Sequence, residues 1–369
     1  AGSTLRLWSH DNFGEDLLMN VRDGGIFYWD RSDSSSSFVR AVALSTESSD
    51  AKTPTVAKQI MVSDRDRHVI AFGCDPEDAI GAVETKQFIL VFTDVSLHAM
   101  KFIGQPFTFG VEQISENTTI MGPNATKSVD DFVFWMGVED FYVFDGKVQK
   151  LPCSVKSYVF NDFNLSQAQK VFAGLNSSYN EIWWFYCSAD SEDIDKYVVY
   201  NYLEQSWYYG SMVRTAWLDR GIDNFPTATD RDSYLYYHEY GLDDGSTTPS
   251  SAIEAHIESS QLAIGDGHQY VFLSRLIPDI TFDGSTSNDP SVTFTLKTRN
   301  FPGGAYLQSD ANAVTQSAKE TSSVVEQFTS DVDLRLRGRS FALKVSNSDT
   351  ENQWRLGTPR VELRPDGRR

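Results

Sequence analysis

The sequence lacks the features of a membrane protein, a disulfide-stapled protein or a secreted precursor. No segment approaches the roughly eighteen uninterrupted apolar residues that a membrane-spanning helix needs. The three cysteines, Cys74, Cys153 and Cys187, form no C-x-x-C pair and are too scattered for a disulfide framework or a zinc site. The first residues contain no basic stretch followed by an apolar one, so we expect no signal peptide. These absences predict a soluble protein with no membrane span.

Positive charge is scarce, mostly in the N-terminal part of the chain. Residues 1–252 hold 19 Lys and Arg against 36 Asp and Glu, a net charge of −17, whereas residues 253–369 hold 13 against 15, a net charge of −2. Such a surface repels phosphate, which argues against ordinary nucleic-acid binding through counterion release. The simplest alternative is that the acidity only favours solubility.

Sequence motifs of catalysis are also missing. There is no G-x-S-x-G elbow, no P-loop and no G-x-G-x-x-G that opens a helix, and the six histidines fall at no metal-ligand spacing. Carboxylates are abundant, but no short motif selects a pair that could act as acid and base across a sugar. We therefore expect no catalytic residues, no cofactor and no metal, and a protein that is not an enzyme.

Aromatic residues are abundant, at 13% of the chain, with 24 Phe, 16 Tyr and 8 Trp. Aromatic side chains favour strands because they fit a pleated, half-buried surface. Amphipathic helices are hard to find, whereas short apolar runs alternate with Gly, Asp, Asn and Ser, which is typical of hairpins. The sequence therefore predicts an all-β fold.

Four apolar–aromatic runs recur at similar intervals. They begin at Phe88, Phe132, Ile182 and Tyr234, and successive starts lie 44, 50 and 52 residues apart. A polar turn and a second apolar run follow each of the first three. An antiparallel unit of about 40–50 residues is typical of a β-propeller blade. A sandwich built from plain meanders is the alternative.

The polar stretch 242–251 is the best candidate for a domain boundary. Beyond it the apolar residues alternate more regularly, so that Leu334 and Leu336 face one side of a strand and Arg335 faces the other. Such alternation is typical of a sheet with one solvated face. We therefore predict a β-propeller domain over residues 1–246 and a C-terminal β-sandwich-like domain over residues 247–369.

The densest acidic cluster lies in a predicted hairpin turn. It contains Asp190, Glu192, Asp193 and Asp195. Carboxylates at this spacing could bind a hard cation such as Ca²⁺, but the cluster lacks the central glycine and terminal glutamate of a calcium loop. A solvated loop tip is the simpler interpretation, and we treat the four carboxylates as candidate interaction residues.

Three arginines form a stripe on one predicted strand of the C-terminal domain. Arg335, Arg337 and Arg339 alternate with apolar residues and share a face. Their guanidinium groups could bind an acidic neighbour, such as the propeller of an adjacent subunit. The alternative is an ordinary solvent-exposed face.

Several segments carry a resemblance that spans nearly the whole chain, although no single one is diagnostic. One of them is the segment WRLGTPR at 354–360, and the resemblance rests on the order of all the segments along the chain. The further segments are residues 8–17, 62–70, 88–110, 120–125, 141–152, 171–174, 181–184 and 362–367. In this order they resemble the tail tubular protein B family of short-tailed phages. These are the tail nozzle proteins, also called packaged-DNA stabilisation proteins.

The resemblance implies a virion protein of the phage tail that is assembled in the host cytoplasm. It implies a β-propeller and a homo-oligomeric ring of six subunits below the tail adaptor and portal, near tail fibre or needle proteins. Duplex DNA would pass through the channel of this ring without sequence-specific binding. We therefore expect a structural nozzle, which acts as conduit and gate for genome retention and DNA ejection.

Physical reasoning supplies a role for the acidity in such a channel. An acidic wall repels each phosphate whatever the base sequence, so duplex passes without sticking. Loop tips such as residues 188–196 would narrow the lumen and retain packaged DNA. Two other functions stay open from the residues alone. One is a receptor-binding or glycan-binding tail protein, and the other is a polysaccharide hydrolase.

Overall fold

The chain divides into two compact units. The computed structural model describes residues 6–32, 40–48, 53–63, 67–74, 79–104, 106–221, 224–263, 267–300 and 319–367. Unit 1 is Ala1–Glu239 and unit 2 is Tyr240–Arg369. The boundary expected from composition lies slightly later, after Ser246. The Asp243 carboxylate accepts a hydrogen bond of 2.6 Å from the Glu351 backbone N–H, which fastens this polar stretch to unit 2. Residues 64–66, within the resembling segment 62–70, lie outside the described residues.

Unit 1 is built from antiparallel sheets whose strands are consecutive in sequence. The first sheet contains β1 (Trp8–Phe13), β2 (Asp16–Val21), β3 (Ile26–Trp29) and β4 (Val42–Ala43), and a hairpin of β5 (Gln59–Val62) and β6 (Val69–Phe72) follows. The next sheet contains β7 (Ala79–Glu84), β8 (Ile89–Thr93), β9 (Ser96–Phe102) and β10 (Phe109–Glu116). Then come β11 (Thr126–Val129), β12 (Phe132–Met136), β13 (Phe141–Phe144) and β14 (Val148–Leu151). The last two sheets contain β15 (Phe172–Asn176), β16 (Glu181–Tyr186), β17 (Lys196–Asn201) and β18 (Ser206–Ser211), and then β19 (Ala216–Leu218), β20 (Thr227–Thr229) and β21 (Leu235–Tyr237).

These sheets stack face to face and meet through their first strands. β1 contacts β5, β6 contacts β7, and β11 lies between β7 and β15, which in turn contacts β19. A backbone hydrogen bond of 2.8 Å from Ala173 N–H to the Asn124 carbonyl joins two neighbouring sheets. Stacked four-stranded meanders with their first strands innermost are the architecture of a β-propeller. Unit 1 is therefore a β-propeller, as the sequence predicts.

The aromatic runs explain why the sheets stack on both faces. Every residue of β16 is buried, and Trp135 and Trp184 are fully inaccessible to solvent. A strand that is apolar on both sides needs a covering layer on each side. The runs beginning at Phe88, Phe132 and Ile182 lie in β8, β12 and β16, the second strands of successive sheets.

The run at Tyr234 does not continue this series. It forms β21, the third strand of a three-stranded sheet, and Tyr234 and Leu235 are more than half exposed. The interval of 52 residues therefore does not mark an equivalent strand. A short connection separates β18 from β19, so the same interval reaches the third strand of this sheet instead of the second, and spacing alone does not distinguish the two cases.

The tryptophan N–H groups fix how neighbouring segments meet. The Trp184 indole donates to the Ala125 carbonyl at 3.0 Å, and Trp135 donates to the Thr119 carbonyl at 3.2 Å. Because a buried N–H without an acceptor costs about 1–3 kcal/mol, each bond selects one arrangement of the stacked sheets. Three further contacts of this kind are Trp217 to the Leu175 carbonyl, Trp207 to the Pro152 carbonyl and Trp183 to the Glu181 carboxylate.

Helices are few and short within the described residues. They are α1 (Leu44–Glu47), α2 (Lys156–Asn161) and a 3-10 helix at Leu165–Lys170. Neither α1 nor α2 has a side-chain cap at its N-terminus. None of the helices in the described ranges is long and apolar enough to cross a membrane.

Unit 2 is a β-sandwich-like domain. Its larger sheet has the strand order β22 (Ala255–Glu258), β29 (Ser340–Asn347), β26 (Ser291–Arg299) and β27 (Lys319–Glu326), with β23 (Leu262–Ala263) also paired to β29. Its smaller sheet has the order β28 (Val332–Gly338), β24 (Val271–Ile277) and β31 (Arg360–Pro365). A separate pair consists of β25 (Ile280–Thr281) and β30 (Arg355–Leu356).

One apolar core lies between the two sheets of unit 2. Phe294 and Leu296 of the larger sheet pack with Leu334 and Leu336 of the smaller sheet, and all four are buried. Residues between them on β28, such as Arg335, are exposed, so the alternation gives one dry and one solvated face. This confirms the expected sandwich-like domain.

Close packing of the sheets makes Gly174 of β15 a sensitive position. A Cβ atom there would lie 2.7 Å from the indole ring of Trp217, which stacks on Trp183 and cannot withdraw freely. We expect Gly174→Ala to lower the free energy of unfolding by about 1–3 kcal/mol through overpacking. Urea unfolding followed by tryptophan fluorescence measures this loss. The matched variant Gly221→Ala, where a Cβ meets nothing within 4 Å, should unfold at the wild-type urea concentration.

Candidate functional site

One end of unit 1 carries the turns between second and third strands together with the connections between sheets, and we call it the connector end. Thr118 N–H, in a connection, donates to the Val95 carbonyl, in a turn, at 3.0 Å. Asn164 N–H donates in the same way to the Cys187 carbonyl at 3.1 Å. Short polar turns and connections converge here because the strands alternate in direction.

The acidic loop between β16 and β17 lies at the connector end. Its centre is held in place, because Ile194 is buried in the core and the Asn164 side chain donates to the Ser191 carbonyl at 2.8 Å. Asp195 turns inwards and accepts hydrogen bonds from Ser188 N–H at 2.8 Å and Ser188 Oγ at 2.6 Å. The unit therefore holds this loop in place at Ser191, Ile194 and Asp195.

The remaining acidic residues of this loop face outwards. Asp193 forms salt bridges with Arg231 at 3.1 Å and with Lys170 at 3.8 Å. Asp190 and Glu192 are exposed. The four carboxylates predicted as one cluster therefore differ in their surroundings. Asp195 is hydrogen-bonded within the loop, Asp193 is paired with cationic side chains, and the other two are solvated. Their role in an interaction stays a prediction.

These carboxylates do not converge on a metal position. Among the described residues, no group of three or more His, Cys, Asp and Glu side chains is arranged to hold a metal ion. The Asp195 carboxylate accepts hydrogen bonds from Ser188, and the Asp193 carboxylate forms salt bridges with Arg231 and Lys170. The calcium-loop alternative for residues 190–195 therefore finds no support in the geometry.

A second charged contact at the connector end involves Asp140, in the turn between β12 and β13. Its carboxylate accepts from Lys150 Nζ at 2.7 Å and also from Lys156 Nζ, at the start of α2. Burial raises the pKa of this carboxyl, but the two lysines outweigh that effect and hold it below its ordinary value. The pairing fastens α2 to the preceding sheet.

The arginine stripe lies on the smaller sheet of unit 2. Arg335 is exposed, whereas Arg337 forms a salt bridge with Asp366. The guanidinium carbons of Arg337 and Arg339 lie 4.3 Å and 4.9 Å from the ring centroid of Tyr270. Two of the three arginines are thus engaged within their own unit. Whether the stripe binds an acidic neighbour stays a prediction.

A polar cluster that the sequence does not single out lies between the last two sheets of unit 1. We call Asn176, Glu181 and Glu239 the interblade triad. Asn176 and Glu181 face each other where β15 and β16 meet, and Glu239 follows β21. The Asn176 Nδ2 atom lies 3.4 Å from Glu181 Oε2 and 3.1 Å from Glu239 Oε1. Two carboxylates from neighbouring sheets therefore meet at one amide.

The environment of the interblade triad is unusual for two acids. Asn176 is fully buried and Glu181 is 8% exposed. Burial raises the pKa of Glu181, although Tyr208 and Trp183 donate to its carboxylate, and burial together with the Glu181 charge raises the pKa of Glu239. In the sequence, Glu181 stands out only as a charged residue at the start of an otherwise apolar strand, and no pattern links it to Glu239.

Comparisons with known proteins give only distant structural likenesses. No family model matches the chain, and no curated protein matches it. Among solved structures, the N-terminal domain of Nup159 is 10% identical, with 62% of this chain and 60% of that one covered and a TM-score of 0.33. Hsv2 of Kluyveromyces lactis is 10% identical, with 60% of this chain and 69% of that one covered and a TM-score of 0.30. These values are too low to support an inference about function.

Because of the lysine contacts of Asp140, the free energy of unfolding depends on pH. The lowered pKa means that the carboxylate stabilises the fold above its unfolded pKa near 3.8 and loses this contribution as pH falls further. Because both lysines are largely exposed, we expect Asp140→Asn to cost about 1 kcal/mol at pH 7. This difference should shrink in strong acid.

Urea unfolding at pH 7 and at successively lower pH values measures this dependence. Asp94→Asn is the matched control, because Asp94 lies in the equivalent turn of the preceding sheet and is exposed. A loss for Asp140→Asn that does not change with pH would contradict the assignment. So would an equal loss in the control.

Proposed function

We propose that the protein is a structural phage tail nozzle, which assembles as a ring around a DNA channel and does not catalyse a reaction. The observation that supports this most is the ordered set of segments that resemble the tail tubular protein B family along nearly the whole chain. The β-propeller of unit 1 agrees with the β-propeller that this resemblance implies. The ring acts as conduit and gate for genome retention and ejection.

The charge distribution supports a conduit in particular. Unit 1 holds 34 Asp and Glu against 19 Lys and Arg, whereas unit 2 is close to balanced. Duplex DNA carries one negative charge for about every 1.7 Å of its axis. A wall of like charge keeps the duplex from adhering at any base sequence, so transport needs no specific contacts. The virion tail is the location that follows from this function.

The acidic loop supplies the gate in this proposal. Asp190 and Glu192 point into solvent, while Ile194 and Asp195 anchor the loop on the unit. A rigid loop with outward carboxylates narrows the lumen without collapsing onto the wall. In this way it retains packaged DNA until adsorption opens the gate.

Cryo-electron microscopy of intact virions tests the proposed location. The expected density is a closed ring of these propellers around axial DNA, below the portal and adaptor, with the acidic loops facing the channel. Density on peripheral fibres or spikes would reject the conduit. That outcome would favour the receptor-binding or glycan-binding alternative.

Charge reversal in the acidic loop tests the gate. We expect the double variant Asp190→Lys, Glu192→Lys to slow DNA ejection several-fold, because cations in the lumen attract phosphate and retain the duplex. Ejection from purified particles, followed with a DNA-binding dye at two salt concentrations, measures the rate. The effect should weaken at higher salt.

The matched control places the same charges on unit 2 instead of on the acidic loop. Asp283→Lys, Asp289→Lys changes two exposed carboxylates of unit 2, and its ejection rate should equal that of the wild type. Equal rates for the acidic-loop variant and the wild type would refute the gate. Equal slowing in both variants would show that net charge, rather than the loop, sets the rate.

A further inference from the structure

A histidine in the last sheet of unit 1 accepts a hydrogen bond from an arginine. Arg214 lies in the connection that precedes β19, and His238 directly follows β21. The Arg214 Nε atom donates to His238 Nε2 at 2.9 Å. A guanidinium group stays protonated in proteins and can only donate. His238 Nε2 is therefore the unprotonated nitrogen of the ring, so this contact requires a neutral imidazole.

The surroundings of His238 oppose a positive charge on its ring. The ring is half-buried and packs on the indole of Trp217, with 4.6 Å between the ring centroids. Burial lowers the pKa of His238, and the Arg214 charge lowers it further, to about 4. Among the described residues, no carboxylate contributes to the electrostatic environment of this ring. A protonated ring would lose its acceptor nitrogen and lie beside a second cation.

Other contacts hold Arg214 in this position. Its Nη1 atom donates to the Val213 carbonyl at 2.6 Å, and its guanidinium carbon lies 4.4 Å from the centroid of the Tyr236 ring. The Tyr236 hydroxyl donates to the Asp230 carboxylate at 3.0 Å, and this carboxylate also interacts with the Arg214 charge. The guanidinium group is thereby kept beside His238, and a protonated ring could not avoid it by a small movement of the arginine.

His238 supports the contact between the last sheet and its neighbour. Trp217, on which it packs, stacks on Trp183 of β16 at 5.3 Å and donates to the Leu175 carbonyl of β15 at 2.8 Å. The last sheet itself has strands of three residues each, and Leu235 is 64% exposed. Short strands with few buried contacts are among the first parts of a protein to open locally.

We propose that Arg214, Trp217 and His238 form an acid-sensitive latch, which holds the last sheet against its neighbour at neutral pH and releases it when His238 takes up a proton. The proton occupies Nε2, so the hydrogen bond from Arg214 is lost and two cations face each other. The last sheet then opens while the rest of unit 1 stays folded. Opening exposes the face of β15 and β16 that carries Trp183.

The pH range of the latch follows from the two states of the histidine. In the open sheet His238 returns to its ordinary pKa of 6.5, whereas in the closed sheet burial and Arg214 hold the pKa near 4. The open sheet therefore binds more protons between these values. The latch is at full strength above pH 6.5 and weakens as pH falls towards 4.

The acidic groups between the same two sheets have the opposite pH dependence. Burial raises the pKa of Glu181, and burial together with the Glu181 charge raises the pKa of Glu239. Protonation of these carboxylates therefore favours the closed sheet as pH falls. A loss of protection in mild acid would not come from them.

Hydrogen–deuterium exchange of the full chain at pH 7 and pH 5 tests the latch. After correction for intrinsic exchange rates, we expect the amides of β19–β21 to lose about tenfold in protection from pH 7 to pH 5, because opening becomes easier. The sheet of β11–β14 should keep its protection. Unchanged protection of β19–β21 in the wild type would overturn the proposal.

His238→Gln is the main variant, because glutamine offers an amide oxygen to Arg214 but takes up no proton in this pH range. Its last sheet should lose little or no protection between pH 7 and pH 5. His10→Gln is the matched control, since His10 is an exposed histidine of the first sheet, and it should keep the acid response of the wild type. Equal losses in the wild type and His238→Gln would overturn the proposal, as would loss of the response in His10→Gln. None of these outcomes depends on the nozzle function.

Discussion

The burial of tryptophan between sheets is the interaction on which the rest of unit 1 depends. Trp135 and Trp184 are fully buried, and each carries an N–H that must find an acceptor in a neighbouring segment. Apolar burial drives the sheets together with little directional preference, whereas these hydrogen bonds can form in only one register. Stacking therefore becomes specific where the aromatic strands cross the connections between sheets. This register sets the positions of the connector end and of the interblade triad.

Charged residues serve two separate purposes, because some form salt bridges inside a unit and others lie on its surface. Salt bridges at the connector end, such as those of Asp140 and Asp193, fasten turns to connections and leave other carboxylates exposed. The exposed carboxylates give unit 1 its acidic surface, which a passage for duplex DNA can use because repulsion is independent of base sequence. In unit 2 the arginines near Tyr270 are held by local partners, whereas Arg335 is exposed.

The interblade triad is the exception to this separation. Its carboxylates lie between sheets, where apolar residues would give a more stable packing. The Asn176 amide donates to both carboxylates, and this pair of hydrogen bonds links the two sheets.

Sequence patterns alone determined the all-β class, the propeller repeat and the alternation in unit 2, because strands and turns depend on neighbours a few residues away. The same patterns did not show that the run at Tyr234 forms a third strand. They also did not show that Ile194 and Asp195 fix one end of the loop at residues 190–195 to the unit, while Asp190 and Glu192 stay exposed. Only the tertiary structure placed Glu239 beside Glu181, since stacking sets which distant residues meet and no local pattern records it.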